Sequence, residues 1–351
     1  MGKFVKAFDV YAKAAIKHSQ IKTKLDIGCD GIELQMLDEI YRDGLHEWRD
    51  IEEVIDLSEF SSYPVRVVHA PLVPNRGDVL LERIADVDDF TVLDNVFKVA
   101  NYFGVRQKRK VLVVFHSEMH LELMMDLGSL WHNIVKYLDH AFTTYSQVEF
   151  CLENVSPLRG IHRGGDLFLA NNYAFDNVKV IKQLRKELQY NGFGTVLDTC
   201  HQMLAEKYIT GLYEMTGEFK APDLSLRHYF EMYEDTIKLM HICGMKGSGY
   251  GKGKHGTPFK EADKDILQNI VDLKLQYAPA CPATLEVEET DFAVCDGYSS
   301  TLNTLQSCAS FDVKEYLEEH FPNHWMDIPP ASLANLRTQE DCDKLIKELE
   351  G

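Results

Sequence analysis

No run of apolar residues in this chain approaches the roughly 20 that a membrane-spanning helix needs. The opening Met1-Gly2-Lys3-Phe4-Val5-Lys6 also lacks the apolar core of a signal peptide. The expectation is a cytoplasmic protein with no membrane partner. CxxC is absent, and the eight cysteines are neither dense nor regularly paired in 351 residues. Cys29, Cys151, Cys200, Cys243 and Cys281 sit in or beside apolar runs, where a reduced thiol packs as a small hydrophobe; of these only Cys200 adjoins candidate ligands. Positive charge is in deficit, with 37 Lys and Arg against 55 Asp and Glu and a net charge of -18. That balance opposes nonspecific attraction to nucleic acid or anionic membrane, but does not exclude a local basic patch or a phosphorylated substrate.

What the chain does have is one pattern written repeatedly. Gly194-Thr195-Val196-Leu197-Asp198-Thr199-Cys200-His201 runs from a buried strand into an acid and then a histidine. Val65-Arg66-Val67-Val68-His69, Val111-Leu112-Val113-Val114-Phe115-His116, Val148-Glu149-Phe150-Cys151-Leu152-Glu153, Ile237-Lys238-Leu239-Met240-His241 and Ala283-Thr284-Leu285-Glu286 end in the same kinds of residue. Short apolar runs suit strands buried on both faces, and functional groups at their C-terminal ends are the arrangement of a (β/α)8 barrel. The fold expected is therefore α/β, a (β/α)8 TIM barrel over residues 1–320, with a short C-terminal helical extension over 321–351. That extension would cover the barrel or contact another subunit, which would make the protein a homo-oligomer.

Taken in order, residues 3–11 read as the first strand and 12–27 as the first outer helix, with the second strand over 31–37. Glu33 lies inside that strand, and a solvent-facing role is favoured over a substrate contact. Residues 46–60 read as an amphipathic exterior helix, and 89–103 as the next, with Gly104 as its C-cap. Helical stretches follow at 120–144, 175–190, 202–216, 225–236, 261–277 and 297–320, with a last short helix near 339–349. His120, His132 and His140 are scattered and read as surface or half-buried. The segment 154–174 reads as a long loop holding Arg159, His162, Arg163, Gly164 and Gly165, a candidate for substrate contacts. Gly251, Gly253 and Gly256 satisfy GxGxxG by spacing alone, without a strand-to-helix turn. The segment 244–256 reads better as a mobile lid whose Lys246 and Lys254 meet an anionic substrate.

The converging set is His69, His116, Glu153, Asp198, His201, His241, His255 and Glu286. Mixed imidazole and carboxylate suit zinc, manganese, iron or cobalt, whereas an all-oxygen set would suit magnesium or calcium. One histidine at a strand end is usually a satisfied core residue. Six strand ends that each terminate in a ligand type point to a metal site.

His69-Ala70-Pro71, His116 after its apolar strand, Glu153-Asn154, Asp198-Thr199-Cys200-His201, His241 and Glu286 together resemble the successive motifs of the endonuclease IV family, within the xylose-isomerase-like barrel superfamily. The resemblance spans about residues 30–290. It implies a metal-dependent phosphoesterase that uses metal-bound hydroxide on a cluster of two to three zinc ions. Glu153 would bridge two ions; His69 and His116 would complete one, Asp198, His241 and Glu286 the second, and His201 with His255 the third. Glu153, Glu286 and His201 would be catalytic. The family pattern expects an aspartate where Gly253 stands and a tyrosine where Leu72 stands, and no DNA-probing stretch is evident in Asp38-Glu39-Ile40-Tyr41-Arg42. With the net charge, these departures argue for a small phosphoester rather than duplex DNA. Sugar (phosphate) isomerases and epimerases of the same superfamily hold one ion, manganese or cobalt, on Glu153, Asp198, His241 and Glu286. They move a proton with paired carboxylates, here Glu153 and Glu286. That alternative leaves His69, His116 and His255 unexplained.

Overall fold

In a computed structural model, eight parallel strands hydrogen-bond in sequence order and close on themselves. They are β1 (Val10–Ala15), β2 (Gly31–Gln35), β3 (Val65–His69), β4 (Val111–His116), β5 (Val148–Glu153), β6 (Phe193–Asp198), β7 (Ile237–Ile242) and β8 (Ala283–Leu285). The structure describes residues 4–37, 41–42, 47–73, 77–78, 80–81, 90–117, 121–155, 167–216, 223–246, 254–322, 328, 332, 336 and 339–350. Helices cover the barrel: α1 (His18–Ile27), α2 (Phe90–Gln107), α3 (Leu121–Asp126), α4 (Ser129–Thr144), α5 (Leu167–Leu188), α6 (Thr199–Thr216), α7 (Leu226–Tyr233), α8 (Lys264–Tyr277) and α9 (Asp296–Ala309). This is the (β/α)8 barrel expected from the apolar runs.

Strand periodicity explains how one sequence fills two compartments. Side chains alternate between faces, so Tyr11, Val67, Val114, Cys151, Val196 and Leu239 form one buried interior cluster. Two residues further along β3 to β7, the inward positions are His69, His116, Glu153, Asp198 and His241. The apolar layer therefore plugs the barrel directly below the polar one. The alternate residues, among them Val68, Val113, Phe115, Phe150, Leu152, Leu197 and Met240, belong to the large outer core under the helices. Register places Glu153 opposite His116 and Asp198 opposite His241 on neighbouring strands.

Several expectations for individual elements need correction. The first barrel strand is Val10–Ala15, while Phe4–Lys6 pairs antiparallel with Ser310–Asp312 outside the barrel. Ala-rich residues 12–15 read as the start of a helix, but burial between β8 and β2 overrides that propensity. Of the helix expected at 46–60, the described residues 47–60 form no α-helix; a short strand at Glu47–Trp48 precedes 3₁₀ turns at Ile51–Glu53 and Leu57–Phe60. Asp50 and Asp56 accept from the backbone N–H groups of Glu52 and Ser58 at 3.0 and 2.9 Å, local bonds that compete with helix extension. Gly104 does not cap α2, which continues to Gln107 and reverses at Lys108 with φ 53. Glycine is needed at 104 because an added Cβ would lie 2.6 Å from the Gln147 carbonyl oxygen. Helix α5 begins at Leu167, so the expected loop loses its second half, and 261–277 opens with a 3₁₀ turn before α8. The region 297–320 is α9, the strand Ser310–Asp312 and α10 (Val313–His320). Past it, α11 (Gln339–Glu350) packs with α10 around Val313, Leu317, Phe321, Ile328, Leu336, Cys342 and Ile346.

Candidate metal centre

The C-terminal end of the barrel gathers His69, His116, Glu153, Asp198, His241 and Glu286 from six strand ends, His201 from the start of α6, and His255 from the short strand Lys254–Thr257. Glu153, only 1% exposed, sits at the centre. Its Oε2 is 3.1 Å from His69 Nε2 and 3.2 Å from His116 Nε2. Its Oε1 is 3.0 Å from His241 Nδ1 and 3.6 Å from His201 Nδ1. Beyond His241, Glu286 Oε2 lies 2.8 Å and Asp198 Oδ2 4.0 Å from the same Nδ1. Asp198 also caps α6, its Oδ1 accepting from the His201 backbone N–H at 2.5 Å.

The donors fall into three adjoining groups in which every ligand atom lies within 4.8 Å of the others. One is His69, His116 and Glu153; the next is Glu153, Asp198, His241 and Glu286; the last is Asp198, Cys200, Cys243 and His255. Glu153 belongs to the first two and Asp198 to the last two.

Outer hydrogen bonds aim these side chains. The backbone oxygens of Ala70 and Asn154 accept from Nδ1 of His69 and of His201, at 3.0 and 2.7 Å, which fixes each ring so that Nε2 is the nitrogen a metal ion would meet. Asn154 and Asp198 bond reciprocally, Nδ2–H to the Asp198 carbonyl at 2.9 Å and the Asp198 N–H to Oδ1 at 2.7 Å. Glu33 proves to be fully buried, not solvent-facing, and its Oε2 lies 3.0 Å from His241 Nε2. That contact turns His241 Nδ1 toward Glu153 and Glu286, the arrangement of a carboxylate-oriented metal histidine. Lys13 on β1 donates to Glu286 Oε1 at 2.7 Å and lies 3.5 Å from Glu33 Oε1.

The electrostatics are those of a site with too few cations. Burial pushes the Glu153 carboxyl up, yet His241 and His116 outweigh it and hold it well below the usual range. Burial would lower His241, but Glu153, Glu33 and Glu286 draw a proton to it and raise it well above an ordinary histidine. Burial likewise opposes charge on His255, and Asp198 raises it to about 10. For His201 burial prevails and its pKa falls. Carboxylates that force protons onto neighbouring imidazoles will also hold a metal cation, so the residues present fit one.

Four residues escaped sequence reasoning. Lys13 fell in the expected helix 12–27, Glu33 was expected to face solvent, and Cys200 and Cys243 read as hydrophobes. Strand parity with Tyr11 and the other inward positions was the signal for Lys13, Glu33 and Cys243, and adjacency to Asp198 and His201 the signal for Cys200. Of the expected substrate contacts, Lys246 is exposed on the short strand Gly244–Lys246, which pairs antiparallel with Lys254–Thr257. The side chain of Lys254, Arg159, Arg163, and Gly251 and Gly253 of the glycine pattern lie outside the described residues. His132 and His140 are exposed, as expected, and His120 is outside the described residues. Each of the eight cysteines is a free thiol. No helix among the described residues is long and apolar enough to cross a membrane. A cavity of about 680 Å³ opens at the opposite, N-terminal end of the barrel beside Tyr11, Arg66, Arg109 and Lys238, and none of the ligand groups lines it.

No protein-family model matches the chain, and no curated protein does. Among solved structures it is similar to endonuclease IV of Thermus thermophilus, with a TM-score of 0.50 and 14% identity, over 85% of this chain and 99% of that one. It is also similar to the E. coli 3-keto-D-glucoside 4-epimerase YcjR, at TM-score 0.49 and 11% identity over 86% and 100% of the two chains. An IolI protein with a zinc atom follows at TM-score 0.45 and 12% identity over 89% and 99%. The chain has the barrel fold of endonuclease IV.

Proposed function

We propose that this barrel is a divalent-metal-dependent phosphoesterase whose site is centred on Glu153. The observation that carries this reading is that both Glu153 oxygens are engaged in different donor groups, Oε2 with His69 and His116 and Oε1 with His241. A carboxylate shared in this way suits a bridge between two ions, and a one-metal isomerase has no use for His69 and His116. Glu153 is also too enclosed, with histidines on both oxygens, to serve as a free base beside a sugar carbonyl.

When bound, zinc ions on such imidazole and carboxylate donors neutralise a phosphoryl oxygen and acidify water. The protein's own groups supply the rest. Glu286, held ionised by Lys13 at 2.7 Å and His241 at 2.8 Å, would complete the His241 group as a ligand, and its side chain, 21% accessible against 0–1% for Glu33, Glu153 and Asp198, lies at the barrel mouth. His201, its Nδ1 tied to Asn154, directs Nε2 away from that bond, where it meets substrate. The apolar layer below seals the site from the barrel interior. A net charge of -18 favours a small phosphoester over duplex DNA.

The test is elemental analysis of protein purified without added metal or chelator, beside His116→Ala. Two or more zinc ions per chain, with at least one lost in the variant together with phosphodiester hydrolysis, is the expected result. A single manganese or cobalt ion, unaffected by the variant, sinks it and selects the sugar isomerase or epimerase.

A further inference from the structure

The third donor group differs in kind from the other two. Cys200 is the second residue of α6 and Cys243 directly follows β7, and both thiols are fully buried and free. Cys243 Sγ lies 3.5 Å from His255 Nε2, and that nitrogen lies 3.2 Å from Asp198 Oδ2. Leu204, Met203 and Met245 pack around the two sulfurs. His201, expected as the partner of His255, belongs to none of the three groups found among the described residues. Gly253, at the position where an acid was expected, offers no side-chain donor.

We propose that Asp198, Cys200, Cys243 and His255 form a thiolate site for zinc, chemically distinct from the imidazole–carboxylate groups beside it. Two sulfurs, one nitrogen and one oxygen supply four protein donors, enough to close a tetrahedral zinc shell without water. Magnesium and calcium take oxygen donors and would not select this set. Each thiol gives up its proton when the ion binds, because the thiolate is the ligand. Asp198 and Cys200 come from the β6–α6 junction, Cys243 from the end of β7, and His255 from the strand Lys254–Thr257. The ion therefore ties the two-stranded ribbon of Gly244–Lys246 and Lys254–Thr257 to the ends of two barrel strands. The site shares Asp198 with the phosphoesterase reading but does not depend on hydrolysis.

The test strips the full chain with chelator and titrates it with Co²⁺ alone. Thiolate ligation gives an intense near-ultraviolet charge-transfer band that nitrogen and oxygen donors do not. The band is expected in the wild type, bleached by added Zn²⁺, weakened to about half in Cys200→Ser or Cys243→Ser, lost in the double variant, and retained in His116→Ala. His255, with a side chain 28% exposed, gives a second variant that does not disturb the buried thiols. His255→Ala should need at least about tenfold more Co²⁺ to develop the band. Co²⁺ binding without the band, a band unchanged in both serine variants, or a Cys200–Cys243 disulfide in the freshly purified protein overturns the assignment. A band that persists without phosphodiester hydrolysis refutes the phosphoesterase reading alone.

Discussion

Lys13 is the cation that this site carries in its own sequence. Burial would lower its pKa, but Glu286, Glu33 and Glu153 outweigh burial and hold it above the ordinary lysine value. Lys13→Met keeps the stem and removes the charge, leaving Glu286 and Glu33 without it. At an effective dielectric of 20, a unit pair at 2.7 Å is worth about 6 kcal/mol and one at 3.5 Å about 5 kcal/mol. The methionine also escapes the desolvation cost, so the net loss should be the about 3–5 kcal/mol typical of removing one member of a buried pair. At roughly 2 °C per kcal/mol for a chain of this length, the metal-free variant should melt about 6–10 °C below the metal-free wild type. A bound divalent ion returns positive charge to the same carboxylates. With zinc present, the loss should therefore shrink to less than about half of that. Calorimetry of both proteins, each with chelator and with zinc, measures the four melting temperatures. Equal losses with and without zinc would show that Lys13 and the metal positions are independent, and no loss in either would refute the reasoning about the pair.

Lys274, fully buried, donates to the carbonyls of Ala278 and Pro279 at 3.1 Å each, and burial lowers its pKa from 10.5 to about 8. The unfolded chain thus binds the extra proton between those values, so stability rises with pH across that window, by about 3 kcal/mol. Lys274→Met should remove the rise; urea unfolding at about pH 7.5 and about pH 10 would contradict this if the wild-type-minus-variant difference stays constant. Gly104→Ala adds a better helix former to α2 but drives a Cβ to within 2.6 Å of the Gln147 oxygen. It should lower stability by about 1–3 kcal/mol in denaturant titration, and a stabilised variant would show that the turn before β5 yields freely.

The barrel was legible because each strand is a short apolar run with its chemical group at one end. Parity then placed His69, His116, Glu153, Asp198 and His241 on the inner face. The edges were harder. Val10–Ala15 has the alanines of a helix and becomes a strand only through its neighbours, and residues 46–60 carry a helical apolar stripe that two Asx turns cut short. Glu33 was misread because alternation around an acid looks the same whether the second face meets water or a barrel interior. The thiol pair was hidden because Cys200 and Cys243 meet between a helix start and a strand end, and although Cys200 adjoins candidate ligands, nothing around Cys243 distinguishes a ligand from a small apolar side chain.

The scatter of donors along the chain also dictates when a metal can arrive. Zinc fingers collect their ligands from one short segment, so the ion and the fold form together. Here the group around His69 is incomplete until Glu153 has been synthesised, and the group around His241 waits for Glu286, just past the last strand of the barrel. Closing loops of that length without the rest of the core is entropically unfavourable. A nascent chain therefore presents no high-affinity fragment to whichever ion it meets first. On the proposed metal-dependent reading, metallation is the last step of maturation, and selection falls to a finished cavity.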